Sequence, residues 1–132
     1  MDPTITLDAS NLDEELAQHT GTLSRVGTLC AEATEELMIA ELNLKRTESR
    51  LFLHFKNEGE SRGVKVSDKT AEHRVRESQN YYDARMEVIQ ATAKRDKLRA
   101  DLAALDAKGR HIDLLGRRAT EEFKSYRFSK AT

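Results

Sequence analysis

Proline, cysteine and glycine are scarce in this sequence. It contains one proline, Pro3, one cysteine, Cys30, and six glycines among 132 residues. Because proline and glycine interrupt helices, few such interruptions are available, and a lone cysteine cannot form an internal disulfide. No apolar run approaches the roughly 18 residues of a membrane span or resembles the core of a signal peptide. We therefore expect a protein of the reducing cytoplasm that does not enter a membrane.

Motifs of enzymes are also missing. The sequence has no glycine-rich phosphate loop and no zinc-finger pattern of cysteines. No histidine has a glutamate three residues before it, the spacing that a di-iron helical bundle needs. The four histidines are His19, His54, His73 and His111. We therefore expect no catalysis, no bound metal and no cofactor.

Charged residues, by contrast, make up 34% of the chain. Together with abundant alanine and leucine, this composition is typical of long helices, and the length suits one domain. The charge is unevenly divided: residues 1 to 44 hold one base and nine acids, and residues 45 to 132 hold 21 bases and 14 acids. Such a division favours a polyanionic partner, self-association between opposite ends, or both.

Apolar positions predict a first long helix. From residue 23 to residue 51 they step along the chain by three and four, the spacing of one helix face. Large and small side chains alternate on this face, so a second helix can approach closely. The nine positions are Leu23, Val26, Cys30, Ala33, Leu37, Ala40, Leu44, Thr47 and Leu51.

Caps and glycines predict how the remaining segments divide. Ser10 or Asn11 caps a short helix that the following HTGT segment ends, and Ser67 or Asp68 caps a second long helix. Gly109 and Gly116 bracket the start of a short C-terminal helix. The predicted segments are 1 to 20 for an extended lead and the short helix, 22 to 57 for the first long helix, 58 to 67 for a tip, 68 to 108 for the second long helix and 110 to 128 for the C-terminal helix.

The second long helix carries two overlapping apolar seams. One contains Val75, Gln79, Tyr82, Met86, Ile89 and Ala93, and the other contains Ala84, Val88, Ala91, Leu98, Leu102 and Leu105. The two long helices are similar in length, about 50 to 60 Å each, which predicts an all-α antiparallel hairpin. One partner helix cannot cover both seams, so we expect a homo-oligomer. The predicted subunit contacts are Leu98, Leu102, Leu105, Ile112, Leu115, Phe123, Tyr126 and Phe128.

Cations and rings cluster near the end of the first long helix, in LNLKRTESRLFLHFKNEGESRG. Lys45, Phe52 and Lys56 fall nearly on one line of the helix, with Arg46 and Arg50 beside it. Such a surface suits single-stranded nucleic acid, because cations neutralise phosphates and a ring stacks on a base. The predicted nucleic-acid-binding residues, including two at the tip, are Lys45, Arg46, Arg50, Phe52, Lys56, Arg62 and Lys65.

The same residues admit a second interpretation. Lysine and arginine solvate the outer faces of ordinary helices, and Phe52, Leu53 and Phe55 can fill an interface between subunits. The aromatic residues of the C-terminal segment EFKSYRFSKAT likewise suit docking on a neighbouring subunit, while the bases among them can face a shared channel.

The order of these segments resembles the phage UvsY-type recombination mediators. The resemblance rests on an acidic amphipathic helix, a long helix ending in ELNLKRTESRLFLHFKNEG, a glycine-broken tip, a serine-capped helix with paired tyrosines and a basic C-terminal helix, over most of residues 20 to 128. It implies a small helical protein that forms a ring, binds single-stranded DNA and helps a recombinase displace the single-strand-binding protein. The family's basic segment matches Arg50 and Leu51 with the cations around them, although Glu48 stands where another base is expected.

We therefore expect a recombination mediator, located in the host cytoplasm if phage-encoded. The main alternative is a scaffolding coiled coil of a phage or bacterial assembly, which joins acidic and basic halves of neighbouring subunits and does not bind nucleic acid. A third possibility, a chaperone-like hairpin, requires exposed apolar grooves at a tip that is mostly polar in this sequence.

Overall fold

The computed structural model describes the backbone of residues 11–130 and the side chains of residues 11–126. This part of the chain forms three α-helices and no strand: α1, Leu12–Ser61; α2, Asp68–Glu77; and α3, Gln79–Lys130. The prediction of an all-helical chain with two long helices is confirmed. The predicted lead and the candidate cap Ser10 lie outside the described residues. Between residues 11 and 130, no helix has the length and apolar composition needed to cross a membrane.

α1 continues through the HTGT segment, where the sequence analysis placed a break. Thr20 Oγ1 donates to the Leu16 carbonyl oxygen over 2.8 Å, a bond that follows the turn of the helix. A glycine inside a helix costs about 1 kcal/mol relative to alanine, but packing of the apolar face supplies most of the stability of a helix in a protein. Leu16, His19 and Leu23 are half-buried on either side of Gly21. The prediction of a separate N-terminal helix is therefore wrong.

The chain divides into two compact units. The first consists of the described residues up to Leu29 together with those from Arg99 onward. Its two helical segments run antiparallel, and glycines allow their close approach. A Cβ atom on Gly109 would lie 2.7 Å from His19 Nε2, and one on Gly116 would lie 3.3 Å from Leu12 Cδ2. Both glycines are interior residues of α3, so the prediction of a separate C-terminal helix is also wrong.

The other unit is Cys30–Leu98. Here too α1 and α3 run antiparallel, because Glu36 pairs with Lys94 over 3.0 Å and Asn43 donates to Glu87 over 3.5 Å. The core of this unit consists mostly of small side chains: Ala33, Leu37, Ala40, Thr47, Val66, Ala71, Val75 and Ala84. All nine positions of the predicted face of α1 are buried or half-buried across the two units. That prediction is confirmed.

The tip between α1 and α2 contains the cap that the sequence predicted. Ser67 Oγ accepts a hydrogen bond from the Thr70 backbone N–H, and the Ser67 carbonyl oxygen accepts one from Ala71 N–H over 3.0 Å. Gly63 has φ +70°, a conformation that glycine adopts without steric cost. Ser67 is thus the N-cap of α2.

The predicted helix over residues 68 to 108 is interrupted at Ser78. Ser78 is extended, with φ −70° and ψ 138°; its N–H donates to the Val75 carbonyl oxygen and its carbonyl oxygen accepts from Tyr82 N–H. Val75 and Ala84 are nine residues apart, which places them on roughly opposite sides of an unbroken helix. Both are only 5% exposed. The interruption therefore brings residues of the two predicted seams into one core.

Candidate nucleic-acid interface

Lys56 is held by the tip of the Cys30–Leu98 unit. Its Nζ donates to the Val66 carbonyl oxygen over 3.0 Å and pairs with Asp68 Oδ1 over 2.6 Å. It also lies 6.0 Å from the centre of the Phe52 ring, within the range of a cation–π contact. These contacts join the last turns of α1 to the start of α2. The Lys56 ammonium group therefore stabilises the tip through contacts within the chain.

The other two predicted cations of the tip differ in their surroundings. Arg62 Nη2 pairs with Glu58 Oε1 over 3.0 Å, one turn earlier in α1. Lys65 is exposed and has no ion pair or hydrogen bond within the described residues. A lysine without a partner can meet a phosphate at no cost in broken contacts, whereas Arg62 must first separate from a carboxylate.

Arg46 and Arg50 lie one helical turn apart on α1 and share a surface groove of about 780 Å³. Both are exposed, and neither side chain forms an ion pair or hydrogen bond with a described residue. Lys45 lies beside this surface, in a shallow hollow that it shares with Arg46. We call the larger hollow the cationic groove; it is lined by Asn43, Arg46, Ser49, Arg50, Leu53, His54 and Asn57.

Phe52 does not share the cationic groove. It is half-buried and faces a second groove, of about 570 Å³, whose walls come from all three helices. Tyr81 lines the same groove, and its hydroxyl accepts a hydrogen bond from Arg85 Nη1 over 3.1 Å. We call this the aromatic groove; it is lined by Glu48, Ser49, Phe52, Leu53, Glu72, Val75, Arg76 and Tyr81.

The two grooves are neighbours, because Ser49 and Leu53 line both of them. The sequence predicted one strip of cations with Phe52, whereas the structure divides these residues between two adjoining surfaces. Tyr81 and Arg76 also line this region, although the sequence pattern did not predict a binding role for them. The paired tyrosines of α3 were visible in the sequence, but only the interruption at Ser78 places Tyr81 opposite Phe52.

Two kinds of side chain in these grooves limit what they can bind. Glu48 and Glu72 place negative charge in the aromatic groove, while the cationic groove contains no carboxylate among its lining residues. His54, in the cationic groove, lies 3.7 Å from Glu58, so its Nε2 pairs with that carboxylate when the ring is protonated. Anionic groups are therefore favoured beside Arg46 and Arg50 and disfavoured between Glu48 and Glu72.

The predicted subunit contacts fall into three groups. Ile112 is completely buried in its own unit, which leaves none of its surface for a partner. Phe123 and Tyr126 are 64% and 59% exposed, and the side chain of Phe128 lies outside the described residues. The half-buried group consists of Leu98, Leu102, Leu105 and Leu115. Their contact with another subunit stays a prediction.

A further apolar patch lies on α1, immediately before the cationic groove. Met38, Ile39 and Leu42 are 59%, 58% and 64% exposed. On α3, Tyr82 and Ile89, which belong to the predicted seam through Met86, are also more than half exposed. Exposed apolar side chains at helical spacing are typical of surfaces that contact another protein.

No family model, no curated protein and no solved structure matches this chain.

Proposed function

We propose that this chain is a recombination mediator: it binds single-stranded DNA and helps to load a recombinase in place of the single-strand-binding protein. Arg46 and Arg50 carry the proposal, because they lie together in an exposed groove without a competing carboxylate partner. Phosphates of a single strand can replace water around such cations and release their own counterions. The recombinase is proposed from the resemblance to the UvsY-type mediators.

A ring of identical subunits is part of the proposal. The cationic groove and the hollow beside it contribute three cations per subunit, Lys45, Arg46 and Arg50, so the affinity of one subunit for a strand is modest. Several subunits that hold the same strand bind it far more strongly, because each later contact forms at a high effective concentration. The exposed patch of Met38, Ile39 and Leu42 supports contact between copies, since such side chains gain by leaving water.

Fluorescence anisotropy with a labelled oligo-dT tests the proposal. We expect binding at low salt that weakens steeply as salt is added, because phosphate contacts release counterions. The double variant Arg46→Glu, Arg50→Glu should weaken binding at least tenfold at low salt while leaving the helical content unchanged. Displacement of single-strand-binding protein from the same oligonucleotide then tests the mediator step.

The control for net charge is Lys97→Glu, which makes half the charge change of the double variant, at an exposed position of α3 outside both grooves. We expect it to change affinity by less than about threefold, the effect of net charge alone. Absence of binding by the natural sequence at low salt would reject the proposal, as would equal losses in Lys97→Glu and the double arginine variant.

A scaffolding coiled coil is the second candidate, and the exposed patch on α1 favours it as well. It predicts self-association without any affinity for nucleic acid. Sedimentation of the protein with and without oligo-dT separates the two: a mediator changes its sedimentation when the oligonucleotide is added, and a scaffold does not.

A further inference from the structure

The aromatic groove depends on the interruption of the helix at Ser78. α2 ends at Glu77 and α3 begins at Gln79, so that Val75 of one helix and Tyr81 of the next face the same hollow as Phe52 of α1. The hydrogen bond from Arg85 fixes the hydroxyl end of Tyr81. Two rings thus lie in one groove with their positions set by the fold.

The volume and charge of this groove select the part of a nucleic acid that can enter. About 570 Å³ is within the range of sites for small organic groups, roughly 300 to 1,000 Å³. Two carboxylates, Glu48 and Glu72, and one cation, Arg76, line the groove, so its lining charge is net negative and phosphate is less favoured there than beside Arg46 and Arg50. The carboxylate oxygens can instead accept hydrogen bonds from the amino groups of bases, as carboxylates do with cytosine. A base fits these conditions better than a phosphate does.

The neighbouring groove supplies the place for the phosphates. Because Ser49 and Leu53 line both grooves, a strand held by Arg46 and Arg50 passes along the edge of the aromatic groove. An unpaired base on such a strand can rotate into the aromatic groove, whereas a base in a duplex is held by pairing with its complement. The arrangement therefore matches single strands.

We propose that the aromatic groove receives an unpaired base of a strand whose phosphates lie in the cationic groove, and that the base stacks on Phe52 and Tyr81. The inference rests on the proposed binding of single-stranded DNA and assigns Tyr81 and Phe52 to contact with the bases. Stacking on aromatic side chains tolerates every base, because each one has a π face.

The test compares two probes of equal length and equal phosphate number: oligo-dC, whose bases carry amino groups, and an abasic strand of the same backbone. The natural sequence should bind oligo-dC at least about fivefold more tightly than the abasic strand. Tyr81→Leu and Phe52→Leu should each reduce the affinity for oligo-dC toward that for the abasic strand. Affinity for the abasic strand should not change, which also shows that the variants fold.

Tyr82→Leu is the matched control, because Tyr82 is the next residue of α3, is 58% exposed and does not line the groove. It should keep the full preference for oligo-dC. Equal affinity of the natural sequence for both probes would overturn the base site and leave phosphate binding intact. A preference that survives in both Tyr81→Leu and Phe52→Leu would also overturn it. Failure to bind either probe would reject the proposed function itself, together with the inference.

Discussion

Similar side chains on α1 have different roles, and the neighbours of each one decide which. The Lys56 side chain contacts the Val66 carbonyl oxygen and Asp68, while the side chains of Arg46 and Arg50 form no hydrogen bond or ion pair with a described residue. An ion pair that remains partly in solvent contributes only about 0 to 1 kcal/mol. The importance of Lys56 is therefore its position: it connects the end of α1 with the first turn of α2.

Gly59 and Gly21 are both glycines inside α1, but alanine should affect them in opposite ways. A Cβ on Gly59 would lie 2.9 Å from the Val64 carbonyl oxygen and would overlap Val66, whereas nothing lies within 4 Å of one on Gly21. We expect Gly59→Ala to lower the free energy of unfolding by about 1 to 3 kcal/mol. Gly21→Ala should raise it by about 0.5 to 1 kcal/mol, because alanine favours the helix.

Urea denaturation at one fixed protein concentration, followed by far-ultraviolet circular dichroism, measures both changes. The two variants control for each other, since they make the same substitution in the same helix. An increase in stability for Gly59→Ala would contradict the close packing of the tip.

At the scale of the elements, α2 begins at a serine whose side chain caps it, Ser67, and ends at a serine whose backbone is extended, Ser78. Serine suits both positions, because its hydroxyl competes with the helix for backbone hydrogen bonds. The short helix between them is what closes one side of the aromatic groove.

Removal of the cap should destabilise α2. We expect Ser67→Ala to lower the free energy of unfolding by about 1 kcal/mol, because the Thr70 N–H loses its acceptor. Hydrogen exchange measured by mass spectrometry should show faster exchange in α2 than in the natural sequence. Ser24→Ala, at an exposed interior position of α1, should be neutral or slightly stabilising. Equal effects of the two substitutions would show that Ser67 does not act as a cap.

For the whole molecule, the division of charge and the exposed apolar side chains both favour association between copies of the chain. Residues 1 to 44 carry nine acids and one base, and the cations follow. Copies of such a chain attract one another when the acidic part of one meets the basic part of the next. The patch of Met38, Ile39 and Leu42 adds an apolar contribution that salt does not screen.

Light scattering coupled to size-exclusion chromatography tests this contribution. We expect Ile39→Glu to lower the average mass toward that of a monomer, because a charge in the patch must lose its hydration when a partner covers it. The control Gln90→Glu adds the same charge at an exposed position of α3 and should leave the mass unchanged. If the natural sequence is an oligomer, an unchanged mass for Ile39→Glu would place the contact between subunits elsewhere on the chain. A monomeric natural sequence would contradict the expected association.

Much of the helical framework could be predicted from local pattern. The three-and-four spacing between Leu23 and Leu51 predicted the buried face of α1, and the serine before an acidic turn predicted the cap of α2. The clustered cations were visible as well, since Arg46 and Arg50 are neighbours on any helix. Their separation from Phe52 was not visible, because it depends on where α2 and α3 lie.

The sequence by itself determined that this chain is helical, which face of α1 is buried and where α2 begins, because these properties arise from side chains within a few turns of one another. The tertiary structure decided which glycines end a helix and which lysines have partners. Gly109 stays within α3 because His19, 90 residues earlier, packs against it, and Lys56 is occupied by Asp68 across the tip. Such contacts join residues that are distant in sequence or lie across a turn, so no periodicity within one helix can reveal them.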